Sequence, residues 1–277
     1  MKSKINSKEV GLDLGLLLFK NFLDTDYMHY GLFSNNLEPK ITNLPKAQDN
    51  YADLLRSIIP DGVKTILEVG CGSGRFAYNL VENGYDVECV TPGSALADYA
   101  EELLNNKAIV NKSKFEKFDT SKKYDLILFS ESFQYIKMKD SIPKSIELLN
   151  SNGRILIADF FQIEANGKSA LGGGHKFSQW EKVLESSNLN IEFEKNITIE
   201  TAPTIDIANE LSQNLAFPIW KMIFNSLKRK YPLLLKFLKW KYVKKINKIE
   251  HTYFSGEMNG ENFKKFKQYM VYLLKKD

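Results

Sequence analysis

Four groups of side chains in this 277-residue chain have the types and spacing to do chemistry. Gly70, Gly72 and Gly74 sit in "TILEVGCGSGRF", directly after an apolar run, with Glu68 ahead of them and Cys71 among them. Glycines after a strand let the backbone approach a ligand, and the N–H groups of a following helix point at it, so the loop suits a nucleotide-like ligand. Ser130, Glu131 and Gln134 follow a second apolar run in "YDLILFSESFQYI". Glu131 can accept a proton or pair with a cation; it can equally be a carboxylate favoured by the dipole at a helix start. His175 comes straight after Gly172, Gly173 and Gly174. Its ordinary pKa suits general-base work near neutrality, and a plain loop before a helix near Ser178 accounts for it as well. Tyr27, His29 and Tyr30 cluster in "DTDYMHYGLF", as rings able to face a cation or to close a core.

Positioning these groups is the task of a regular alternation that starts at residue 64. Apolar runs at 64–69, 85–90, 108–110, 124–129, 154–160 and 190–197 are separated by helical patterns near 75–83, 95–105, 140–149 and 178–187. Continuous apolar strands with helices between them predict a parallel sheet covered on both faces. Ligands in such sheets bind beyond the C-terminal ends of the strands, which is where Gly70–Gly74, Ser130–Gln134 and the loop carrying His175 fall. After 197 the pattern is helical, with Pro218 and Pro232 placed where helices would start, and "QYMVYLLKK" closes as a strand. The division expected is an N-terminal helical extension (1–60), a ligand-binding core (61–199), a helical insertion (200–266) and a last core strand (267–277).

The spacing narrows the ligand. A dinucleotide fingerprint is G-x-G-x-x-G, whereas residues 70–74 read G-x-G-x-G with an acidic residue two positions before. "LEVGCGSGRF" resembles the first motif of class I S-adenosylmethionine-dependent methyltransferases. "YDLILFSESFQYI" resembles their fourth-strand motif, and "LLNSNGRILIADF" their L-x-P-G-G turn and fifth strand with the Pro and one Gly replaced. The resemblance implies an α/β fold: a Rossmann-like, doubly wound, mostly parallel seven-stranded sheet, here with the N-terminal extension and with the helical insertion as a lid before the last strand. It implies S-adenosylmethionine as cofactor, with Gly70, Cys71, Gly72 and Gly74 at its amino-acid end and Glu68 acting through its ammonium group. Many members end the second strand in an acidic residue that holds the ribose; this chain has Thr91 and Pro92 there, which leaves Thr91 as the ribose candidate and Glu88 on the wrong side of the strand. Phe115 and Glu116 fall where the family contacts adenine, Ser130 faces the cofactor, and a solvated loop is the alternative for 114–118. "HYG" at 29–31 resembles a segment of the cyclopropane synthase and sarcosine or dimethylglycine methyltransferase branches, where aromatics cover the methionine end; Tyr27 and Tyr30 take that role here. His175, Glu131, His29 and Tyr30 are the candidates for catalysis on the acceptor.

Composition limits the rest. With 43% apolar residues the chain can build a sizeable core. Two cysteines suit a reducing compartment, and the His and Cys content offers no zinc site. The N-terminal apolar run is interrupted by Asp13 and reads as an amphipathic helix rather than a leader, so a cytoplasmic location is expected. Formal charge is +4 overall, yet residues 221–277 hold fifteen Lys/Arg against four Asp/Glu. Basic, aromatic-rich helices suit a lid over an apolar or anionic small-molecule substrate and a peripheral membrane contact through residues 221–267, or they simply keep a lid soluble. Nucleic acid is disfavoured, because no RNA-binding appendage is present and the fourth-strand motif lacks an Asn/Asp-Pro-Pro-Tyr sequence. Three functions follow: methyl transfer to a metabolite, natural-product or lipid intermediate; cyclopropane-type modification of an acyl chain, for which Glu131 and Glu164 are the nearby acids; and a non-catalytic binding module. Whether oxygen, nitrogen or carbon accepts the methyl group is not legible, nor is the oligomeric state.

Overall fold

The structure, a computed structural model, describes residues 7–34, 36–92, 95–167 and 169–276. Gly93 and Ser94, which follow Thr91 and Pro92, and residues 2–6 of the expected N-terminal helix lie outside them. Two helices come first: α1 (Ser7–Leu18), continued by a π-helical turn at Phe19–Leu23, and α2 (Leu44–Ile58). The alternation then runs β1 (Thr65–Val69), α3 (Arg75–Glu82), β2 (Asp86–Thr91), α4 (Ala95–Leu104), β3 (Ile109–Lys112), β4 (Tyr124–Ser130), α5 (Met138–Leu148), β5 (Leu149–Gln162), α6 (Phe177–Ser186) and β6 (Leu189–Asn196). Helices α7 (Thr198–Leu211), α8 (Phe217–Lys230), α9 (Pro232–Phe254) and α10 (Gly260–Phe266) precede β7 (Lys267–Lys276).

One seven-stranded sheet results, in the order β3-β2-β1-β4-β5-β7-β6. β3 through β5 are parallel, while β7 inserts antiparallel between β5 and β6. The expected mostly parallel sheet is therefore present, and the strand order reverses between β1 and β4, the position at which a crevice opens in such sheets. Side-chain alternation along the strands builds a core on each face. Ile66, Leu126, Leu128, Leu156 and Val271 pack with Tyr51 and Leu55 of α2 and Phe76 and Leu80 of α3. Leu67, Ile127, Phe129, Ile155 and Tyr272 pack on the other face with Ile142 of α5 and Trp180 of α6.

Between β6 and β7, Pro218 falls in the first turn of α8 as expected, and the chain also stays helical from α7 into α8 through a π-helical turn at Ser212–Ala216. Proline has no N–H to give and its ring crowds the carbonyl four residues back, so a locally wider turn lets the helix pass through it. Pro232 starts α9, after Tyr231 leaves helical geometry at φ −136°. α7 and α10 pack on the core, with Ala202, Ile205 and Phe263 buried. α8 buries no side chain and α9 only Leu235.

Candidate functional site

β1 delivers Glu68 to the sheet end, and the loop turns there on three left-handed glycines, with φ of 77°, 58° and 79° at Gly70, Gly72 and Gly74. At two of them the chain also demands the absence of a side chain. A Cβ on Gly70 would lie 2.6 Å from Ser132 Cβ, and one on Gly74 would lie 2.9 Å from Ala100 Cβ of α4. Gly72 differs, since its Cβ would meet only Met28, at 3.7 Å. Ser132 Oγ donates to the Val69 carbonyl and Ser73 Oγ to the Asp26 carbonyl, which ties the loop to the β4 end and to the N-terminal segment. Cys71 turns into the core beside Cys89, whose thiol is pushed well up by its hydrogen bond to Cys71 and by burial. Glu68 is buried, with Oε2 lacking any hydrogen-bond partner, and desolvation raises its pKa to about 8. An orphaned buried carboxylate oxygen invites a donor from a ligand. The ammonium group of S-adenosylmethionine, directly or through water, has that chemistry, so the residues present fit the cofactor that the sequence implies.

The segment before Tyr30 is shaped from beneath by Gln48, a residue that sequence reasoning missed. Its amide donates to the carbonyls of Tyr27 (3.1 Å) and His29 (2.8 Å) and accepts from the Thr25 hydroxyl (3.0 Å). The His29 ring lies against Tyr27 (4.6 Å) and Tyr51 (4.4 Å). Burial lowers its pKa to about 4, so the ring is neutral near pH 7. Nδ1 donates to the Tyr30 carbonyl at 2.8 Å, which leaves Nε2 as an acceptor, buried and without a partner. Arg75 stacks over the Tyr27 ring at 5.7 Å.

Glu131 stands just past β4, in left-handed backbone at φ 56°. A non-glycine residue held there marks a position that its surroundings over-determine. Its Oε1 accepts from the Tyr30 backbone N–H (2.7 Å) and from the Tyr269 hydroxyl (2.9 Å). Since Tyr269 spends its proton on Glu131, Tyr51, 2.8 Å away, donates to Tyr269 and accepts from Ser130 at 3.2 Å. Four hydroxyl and carboxylate groups from α2, β4 and β7 thus form one directed chain ending on Glu131. Burial raises the Glu131 pKa to about 8 against those two donors, with help from the neighbouring Asp159 charge. Tyr30 is ringed by Phe160 (6.0 Å), Phe263 (5.8 Å) and Tyr269 (5.9 Å), an aromatic wall beside the carboxylate.

A second buried acid, Asp159 on β5, holds the neighbouring turn. It accepts from the Gln134 backbone (2.9 Å), the Gln134 side chain (3.0 Å) and the Phe160 backbone (2.8 Å). Burial brings its pKa to about 7 even so. Lys267, only 2% exposed, donates to the Gly173 carbonyl at 2.6 Å, and desolvation lowers its pKa to about 8. Gly173 and Gly174 approach closely, as their sequence suggests: a Cβ on Gly174 would lie 2.7 Å from the Phe160 carbonyl. His175 Nε2 lies 3.0 Å from the Phe133 carbonyl and 2.9 Å from that of Ile136. Carbonyls only accept, so Nε2 carries the proton and the ring clamps the turn at 133–136.

The structure therefore gathers Tyr30, Glu131 and Ser130 around one hydroxyl chain, with His29 and Tyr27 behind it through Tyr51. Thr91 is buried at the end of β2. Phe115 points inward, edge-on to Phe129 at 5.6 Å, while Glu116 is exposed on the same one-turn helix. Glu164 is exposed, and Glu88 is engaged by Lys122 (2.7 Å) and Asn111 (2.8 Å) away from this group. Beyond Gln48, the unforeseen members are Tyr51, Asp159, Lys267 and Tyr269. Asp159 carried a signal, an acid inside the apolar run "RILIADF"; Tyr269 was hidden among other aromatics.

Comparison with known proteins follows the same outline. A family model described as a methyltransferase domain matches residues 44–194. An uncharacterized methyltransferase of Staphylococcus carnosus is 24% identical over 60% of this chain and 78% of its own length. Malonyl-(acyl-carrier protein) O-methyltransferase 1 of Ilyobacter polytropus is 28% identical over 53% of this chain and 61% of its own length, so this chain spans under two thirds of that relative. Among solved structures, the (4+2)-cyclase SpnF superposes with a TM-score of 0.71 at 13% identity, covering 98% of this chain and 94% of that one. A mycolic acid cyclopropane synthase complexed with SAH and CTAB gives 0.69 at 16% identity and covers both chains fully, 100% each. These likenesses describe the fold.

Proposed function

The chain belongs to the methyltransferase-domain family, whose members use S-adenosylmethionine, and from that premise we propose that it methylates a small-molecule or lipid-type acceptor at Glu131. The observation that carries this reading is the half-buried Glu131 carboxylate, held by Tyr30 N–H and Tyr269 O–H beside an aromatic wall. When bound, the cofactor supplies a methyl carbon already activated by sulfonium charge. Glu68 and the backbone of Gly70–Gly74 would hold its amino-acid end, Tyr27 and Tyr30 would cover it, Thr91 would take the ribose, and the Phe115 N–H with Glu116 would take adenine. On the acceptor side, Glu131 receives the proton that an O–H or N–H acceptor loses. A pKa of about 8 leaves a useful ionised fraction near neutrality, and the two fixed donors favour that ionised, proton-accepting form. Tyr30, Phe160 and Phe263 orient an apolar body and keep water out. We assign His175 to positioning, since its Nε2 proton is spent on the 133–136 turn. Among the described residues no helix is long and apolar enough to cross a membrane, and a lipid acceptor would be met at a surface.

The test is calorimetry with S-adenosylhomocysteine, followed by incubation with methyl-labelled cofactor and a metabolite extract. Glu131→Gln should bind the cofactor product as the parent does and lose about 100-fold or more in turnover, whereas His175→Ala should lose far less. A His175→Ala loss as large as that of Glu131→Gln would return the base role to His175. No binding at millimolar ligand would favour the non-catalytic module. The cyclopropane reading is favoured by the same acid and wall, which also suit an acyl chain. With a trideuteromethyl cofactor the two reactions part: methyl transfer keeps all three deuterons in the product, and ring formation loses one.

A further inference from the structure

The hairpin α8–α9 stands apart from the chemistry and carries a surface of its own. Its two helices are held together by Phe217 and Trp220 of α8 on Phe254 of α9 (4.9 and 6.0 Å), and its side chains bury almost nothing against the sheet. Along α9, Leu233, Phe237 and Trp240 recur at intervals that align on one helix face, and they are 82%, 50% and 75% exposed. Phe237 and Trp240 meet at 6.0 Å, as neighbours on one stripe. Residues 217–254 contain ten Lys/Arg, all exposed, against a single carboxylate, Glu250. Lys241 lies over the Phe237 ring at 5.8 Å, so the charge flanks the apolar stripe instead of sitting on a separate face.

We infer that the α8–α9 hairpin docks the protein on an anionic lipid bilayer, with Leu233, Phe237 and Trp240 entering the interface and the flanking lysines meeting the headgroups. Charge complementarity selects this occupant. A second copy applied to the same face would bring ten cations against ten, and nucleic acid would satisfy the lysines while leaving the three large apolar side chains in water. A bilayer interface takes both: acyl chains receive the stripe, tryptophan sits at the headgroup level, and lysine stems lie along apolar surface with their ammonium groups outward. The inference does not rest on the acceptor being a lipid, nor on Glu131.

The experiment is co-sedimentation of the full chain with phosphatidylcholine vesicles, with and without phosphatidylglycerol, at low and high salt. Tryptophan quenching by brominated lipid is read in parallel. Partition should require the anionic lipid, weaken with salt, and be accompanied by quenching that Trp240→Phe removes. The double variant Leu233→Glu/Phe237→Glu should lose about 10-fold or more in partition. Both positions are exposed, so its circular dichroism and S-adenosylhomocysteine affinity should match the parent. No partition of folded protein at low salt would overturn the inference, as would parental partition of the double variant. Transfer of binding to an RNA homopolymer, or a concentration-dependent dimer abolished by the same variant, would replace the bilayer with those partners.

Discussion

Two glutamates lie at the same end of the sheet with the same pKa of about 8, each raised first by desolvation, and they differ in their hydrogen-bond supply. Glu68 is raised by desolvation alone and keeps Oε2 without a partner. Glu131 is raised by desolvation against two hydrogen bonds that favour its charge. The first is a carboxylate that the protein leaves unfinished, so a donor must come from outside; the second is finished from within and available to handle a proton. In the proposed function, cofactor binding and acceptor chemistry are thus separated by hydrogen-bond supply rather than by charge.

The comparison breaks most visibly at the loop between them. Gly70→Val puts a branched side chain into left-handed backbone and against Ser132, whose hydroxyl ties the loop to β4. We expect a loss of about 3 kcal/mol or more in stability by denaturant titration and no measurable S-adenosylhomocysteine binding by calorimetry. Glu68→Gln comes next. A carboxyl whose folded pKa is raised stabilises the fold fully below its unfolded value and loses that contribution as pH climbs through the folded one. Without cofactor, melting should therefore fall between about pH 4.5 and about pH 8. The variant should flatten that fall by up to about 5 kcal/mol while weakening cofactor binding about 10-fold. A variant that binds as the parent does would mean that Oε2 meets no donor in the complex. The smallest effect sharpens the Glu131 side. Tyr269→Phe removes one donor to the ionised carboxylate, so its pKa should move above about 8, by about one unit or less, in a carboxyl carbon-13 titration. Cofactor affinity should not change. An unmoved titration would show that the hydroxyl chain does not support Glu131.

How far each side could be read beforehand follows from distance along the chain. Gly70–Gly74 and Glu68 are contiguous, and the strands announced themselves as apolar runs, so the sheet and its loop were legible from residues 64 to 160. Glu131 was visible as an acid after a strand, but its donor Tyr269 is 138 residues away, and Tyr51 is 79 residues from Ser130. No local pattern joins them; only the insertion of β7 beside β5 does. His175 was read from its residue type, and type says nothing about which nitrogen is already spent on the carbonyls of Phe133 and Ile136. Pro218 was read from its preference for helix starts and stands in the first turn of α8, but the wider turn at Ser212–Ala216 that joins α7 to it left no mark in the sequence.

The antiparallel placement of β7 also has a consequence in time. β6 touches the sheet through β7, and Glu131 gains its hydroxyl donor from the same strand. A nascent chain that has emerged only as far as residue 266 can form the parallel half, loop included, but must wait with β6 and one edge of β5 unpaired. Pairing across that interval is a long-range closure, the slow kind, and the edge is exposed to misassembly until it happens. The order of synthesis thus makes the half that holds Glu68 first and completes the surroundings of Glu131 last.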